Sequence, residues 1–133
     1  MRTYRKLALL AIGIIAGSVS GVALAHHAFA AEFDRERPVK LTGVVTEMKW
    51  SNPHAWLYLD VEEENGNVVN WAFETRAANA LIRLGWRPAD LPVGTELEVE
   101  GYRARNDTPT ASLSSAVFSD GRLLFRGSPD TEN

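Results

Sequence analysis

From Val39 onward the chain alternates apolar and polar residues with a period of two in one segment after another, and only between Thr75 and Gly85 does the spacing become helical. Residues 39–50 carry Val39, Leu41, Val44, Val45 and Trp50, with Gly43 expected as a bulge or bend. In residues 55–61, Leu57, Leu59 and Val61 face one way and Trp56, Tyr58 and Asp60 the other. Residues 68–74 repeat the pattern with Val69, Trp71 and Phe73, and Asn65-Gly66 supplies the positive-φ residues of a hairpin between these two strands. Ala77, Leu81 and Leu84 then lie at helical spacing, with Thr75 as the expected N-cap and Gly85 as the stop. Residues 87–94 hold too many prolines for anything but a loop, and strands follow over 95–105, with Glu96, Glu98 and Glu100 outward, and over 110–119. A last apolar segment covers 123–125.

This order predicts a mainly β fold, a small five-stranded OB-like barrel with one short helix between strands 3 and 4, preceded by a signal peptide. An open β-sandwich of similar strand count is the alternative. The expected organisation is a signal peptide over 1–25, an extended N-terminal arm over 26–38 that Phe29 and Phe33 dock onto the domain, the β domain over 39–126 and a frayed tail over 127–133.

The signal reading rests on Arg2, Arg5 and Lys6 ahead of an uncharged apolar run over 7–24, ended by the small-x-small pattern Ala23-Leu24-Ala25. Cleavage is expected between Ala25 and His26, with a second candidate cut after Ala28-Phe29-Ala30. An uncleaved anchor is the alternative, because about 19 apolar or small residues approach the roughly 20 that span a bilayer. Gly17, Ser18, Ser20 and Gly21 weaken that run as a helix. The sequence has no Cys, which closes the lipoprotein route and leaves stability to the core alone, and no Arg-Arg pair marks the twin-arginine route. The expected product is soluble, without a stable membrane anchor, and periplasmic or secreted.

Residues 1–25 hold three of the 14 basic side chains and none of the 17 acids, so cleavage leaves 11 basic against 17 acidic groups, a net charge of −6. That balance argues against nucleic acid as a partner. Hydrolase chemistry finds no Gly-x-Ser-x-Gly elbow and no Cys nucleophile, and the acids nearest His54 in sequence, Glu47 and Asp60, fall on strand surfaces. No catalytic residues are assigned.

All three histidines of the chain, His26, His27 and His54, fall at the new N-terminus or in the turn after the first strand. A mature N-terminal His chelates a metal through its amine and Nδ1, and a third nitrogen from His54 would complete a T-shaped Cu(II) site. The bland alternative is a turn histidine bonded to backbone and two tolerated residues beside a cleavage site. Met48 and Trp50, two apart on one strand and close in sequence to His54, are a candidate soft Cu(I) site, and Trp50, Trp56, Trp71 and Trp86 offer an aromatic face for a sugar or small ligand; Met48, Trp50 and Trp56 are the candidate ligand face, with core packing as the structural reading. The sequence therefore supports an exported small binding domain of unknown ligand, with copper as the candidate cofactor. The alternative is a metal-free envelope module that meets a protein partner through an aromatic face or sheet edge.

At His26-His27-Ala28-Phe29, Leu41-Thr42-Gly43-Val44-Val45, Trp50-Ser51-Asn52-Pro53-His54-Ala55-Trp56, Asn70-Trp71-Ala72-Phe73-Glu74 and Gly101-Tyr102-Arg103-Ala104, the chain resembles a family of short exported bacterial proteins. That family is catalogued as a domain of unknown function, with a His-His-Ser-Phe-like start after the signal peptide and a Trp-x-Asn-Pro-His segment. The resemblance implies secretion and a small β domain and carries no activity. Ala28 stands where the pattern has Ser, which removes a hydroxyl beside the paired histidines.

Overall fold

The computed structural model describes residues 28–127, which belong to two compact units, Met1–Ala31 and Glu32–Asn133. Residues 28–31 of the first are helical. The second contains β1 (Phe33–Lys49), β2 (Trp56–Glu62), β3 (Val68–Glu74), helix α1 (Ala78–Arg83), β4 (Glu96–Ala104), β5 (Thr110–Phe118) and β6 (Leu123–Arg126). Among the described residues, no helix is long and apolar enough to cross a membrane.

The six strands form one sheet in the order β3-β2-β1-β4-β5-β6, antiparallel throughout except for one added contact. There β3 meets β5 in parallel, with Ala72 opposite Thr110, Phe73 opposite Ala111 and Glu74 opposite Ser112. This contact closes five strands into a barrel-like ring, not evenly disposed round one axis. Five strands were expected; the apolar segment near the C-terminus adds the sixth, paired to β5.

Alternation along the strands supplies the core. Leu57, Leu59 and Val61 of β2, Trp71 and Phe73 of β3, Leu97 and Val99 of β4, and Ala111 and Leu113 of β5 converge with Leu81 of α1, Trp86 and Leu91. Each large apolar side chain removed from water there contributes about 1.5–3 kcal/mol before the entropy of ordering is set against it.

β1 serves two partners. Residues 33–44 pair with β4 and residues 44–49 with β2, so Val44 lies opposite both Glu96 and Asp60. At this changeover the backbones crowd: a Cβ on Gly43 would lie 2.8 Å from Asp60 O and 2.9 Å from Val61 Cγ2. Gly43 is thus not the expected bulge but a close approach within a regular ladder. The bulge falls at Thr46, between the pairs Val45–Leu59 and Glu47–Tyr58.

The strand also starts earlier than residue 39, and the extended arm expected to run through residue 38 is replaced from Phe33 by sheet. Phe33 is buried opposite Ala104, and the next pair, Pro38 with Tyr102, leaves residues 34–37 bulged against Arg103 alone. A wide bulge erases the period of two, so its charges read as a solvated arm. They are instead cross-strand partners, Arg37 to Asp107 at 2.6 Å and Arg105 to Asp34 at 3.3 Å.

Three local expectations are also revised. In the β2–β3 hairpin only Gly66, and not Asn65, has positive φ (81°), following a turn closed by Gly66 N–H to Glu63 O. The N-cap of α1 is Ala77, because Thr75 is buried with its hydroxyl donating to Ala55 O and Arg76 O. The proline-rich loop contains a short 3-10 turn, Pro88–Asp90, held by Arg87 N–H donating to Asp90 Oδ2. Gly85 does end the helix: at φ 96° it donates to Ile82 O while Trp86 N–H donates to Leu81 O, a Schellman closure.

Candidate functional site

The turn joining β1 to β2 is tied to α1, which holds His54 in place. Ala78 N–H donates to Ser51 O at 3.0 Å, Asn79 N–H to Asn52 Oδ1 at 3.4 Å, and the Ser51 hydroxyl to His54 O at 2.6 Å. The Asn52–Pro53 peptide within the turn is cis. Beyond it, Ala55 N–H donates to Arg76 O and Thr75 N–H to Ala55 O, so the β2–β3 ladder continues past the strand ends.

That continuation brings His54 onto Glu74. His54 Nδ1 lies 3.0 Å from Glu74 Oε1 and 3.3 Å from Thr75 O. A backbone carbonyl only accepts, so the bond to Thr75 O is made by the tautomer with its proton on Nδ1, in which Nε2 keeps its lone pair. The ring is 41% exposed whereas the Glu74 side chain is 10% exposed. Among the described residues Nε2 has no hydrogen-bond partner. The Glu74 carboxyl and the Thr75 carbonyl thus both meet Nδ1 of a partly exposed imidazole and fix its orientation.

Glu74 is held above the ordinary carboxyl value, chiefly because burial disfavours its charge; His54 pulls the value down and the nearby Glu32 carboxylate pushes it up. The carbonyl of Glu32, immediately ahead of β1, accepts from Arg105 N–H.

Of the residues singled out in the sequence, His26 and His27 lie outside the described residues. Met48 and Trp50 are half-buried against the core. Trp56 is half-buried on the other face: it pairs with Lys49 and Glu74, whereas Met48 pairs with the core residue Leu57. The three therefore do not form one face. Trp71 and Trp86 are both buried in the core. Among the described residues no group of three or more His, Asp or Glu side chains is placed to hold a metal ion. Sequence reasoning missed Glu74, which is 20 positions from His54. The signal that could have found it is the hairpin register, which puts Trp56 opposite Glu74.

Comparison with known families gives one decisive match, to the model of a family of unknown function, DUF6152, over residues 14–112. The chain belongs to that family. The match covers every element from β1 to β4 and the first part of β5, and so includes the His54–Glu74 pair of this DUF6152 member. No curated protein and no solved structure matches the chain.

Proposed function

We propose that this DUF6152 member is an exported small binding domain that takes Cu(II) through His54 Nε2 and the mature N-terminal His26, with His27 beside it. The observation that carries the reading is the His54–Glu74 contact at 3.0 Å, because histidines that ligate metals characteristically donate their second nitrogen to a carboxylate or carbonyl. The domain itself is read as an OB-like barrel, supported by the parallel β3–β5 contact and by α1 between β3 and β4. Export rests on the apolar leader and its Ala23-Leu24-Ala25 end.

Imidazole and amine nitrogens suit Cu(II), and bound copper would bring a strong preference for tetragonal nitrogen coordination. In this chain Glu74 and Thr75 would set the tautomer and orientation of His54, and the new amine would come from cleavage. The test is isothermal titration of processed protein, its first residue fixed by intact mass, with Cu(II). His26→Ala, His54→Ala and a form with one extra N-terminal residue should each lose tight binding, and Glu74→Gln should weaken it by about 10–100-fold. Equal affinity in all variants would sink the copper reading.

A second reading, a metal-free module docking onto an envelope protein, draws on the apolar side chains left in solvent around the end of α1, Ile82 (46% exposed) and Leu84 (56% exposed). Its signature is a partner interaction lost in Leu84→Glu and unchanged in His54→Ala.

A further inference from the structure

The end of the ring where β4 passes into β5 holds two buried donors that nothing among the described residues accepts from. Trp71 is 5% exposed, and its Nε1–H, a group that can only donate, has no partner. Arg103 lies over the same indole, its Cζ 5.3 Å from the ring centroid, and its Nε–H is likewise buried without an acceptor. A buried polar group left unpaired costs about 1–3 kcal/mol, so two neighbouring donors with the same deficit indicate a shared acceptor.

The charge around them points the same way. The wide bulge of β1 and the β4–β5 turn bring several arginines here, but the local carboxylates are already engaged: Asp107 holds Arg37 at 2.6 Å and Asp34 holds Arg105 at 3.3 Å. Arg103 has only the Asp107 carbonyl, 3.2 Å from one terminal nitrogen, and makes no ion pair among the described residues. It is a half-buried guanidinium with its charge uncompensated, on an otherwise acidic domain. A guanidinium with free edge donors fits an oxyanion better than any neutral acceptor.

We propose that the Trp71 indole N–H and the Arg103 guanidinium form a binding site for a small oxyanion, a carboxylate or phosphate group, at the β4–β5 end of the ring. The anion accepts from Trp71 Nε1 and from the Nε edge of Arg103 and supplies the counter-charge that Asp34 and Asp107 do not. The site shares no residue with the His54–Glu74 pair and does not depend on it.

The test follows the Trp71 indole ¹H–¹⁵N resonance while acetate or phosphate is added at constant ionic strength, up to about 50 mM, a range that detects millimolar dissociation constants. A saturable shift is expected. Saturation by acetate alone assigns a carboxylate ligand, and saturation by phosphate alone a phosphate-bearing one. Arg103→Lys, which keeps the charge but loses the planar fork, should weaken binding by about tenfold or more. Trp71→Phe keeps the packed ring, removes the donor, and should weaken anion-induced thermal stabilisation. No saturable response to either anion overturns the proposal. So does a response unchanged in both variants, or a long-lived water seen on the indole proton with no effect of added anion.

Discussion

Gly101→Ala tests the close approach of β4 to β5 most directly, because the nearest obstacles to the added methyl are all backbone atoms of β5. A Cβ at this position would sit against Ser112 O, nearer than real Cβ atoms come to an oxygen, with Ser112 C at 3.1 Å and Leu113 Cα at 3.5 Å. No side chain can rotate away. Relief requires β4 and β5 to separate by about 1 Å where the register already shifts between Glu100 and Gly101, and overpacking of this kind costs about 3 kcal/mol. For a domain of about 100 residues, each kcal/mol lowers Tm by about 4–8 °C, so a fall of about 12–24 °C is expected. Gly66→Ala is the control. Gly66 has φ 81° with nothing within 4 Å of an added Cβ, so only the left-handed backbone is penalised, at about 1–2 kcal/mol. Thermal and urea denaturation of both variants measure the difference. If Gly101→Ala melts no lower than Gly66→Ala, the β4–β5 approach described here is wrong.

Two further outcomes follow from burial. Native Glu74 holds its proton above the ordinary value of 4.5, so its contribution to stability is fully present below that value and is lost as pH rises through the raised native pKa. Urea titrations from about pH 4 to 8 should show Glu74→Gln gaining on the parent protein as pH rises; the opposite slope would mean that the His54 contact outweighs desolvation. Phe73, with no exposed surface at the centre of the core, should cost about 3–5 kcal/mol on replacement by Ala, read as a lower urea midpoint, and a loss below about 1 kcal/mol would contradict its placement.

Local chemistry was legible along most of the chain because each strand carries its own alternation and each turn its own residues. Residues 68–74 match β3 end to end, and Gly85 stops α1 as its freedom at positive φ allows. Legibility failed where contacts from distant strands overrode the local pattern. Residues 34–37 lost their period to a bulge opposite Arg103, and Gly43 is dictated by the backbone of β2, which no local window contains. The candidate site divides the same way. His54 stood out as one of three histidines, but its partner Glu74 belongs to the far arm of the hairpin and becomes visible only when the ladder is extended past the strand ends.

By itself the sequence determined a chain of strands around one helix, with an apolar leading run and its histidines gathered just after that run and at one turn. Those properties follow from near neighbours, through periodicity, turn residues and charge. Only the tertiary structure decided that β3 meets β5, that Glu74 is buried behind His54, and that Arg103 lies over Trp71 without a counter-charge. The physical reason is ring closure: it pairs residues more than 30 positions apart, and burial then sets which charges are satisfied and which await a ligand.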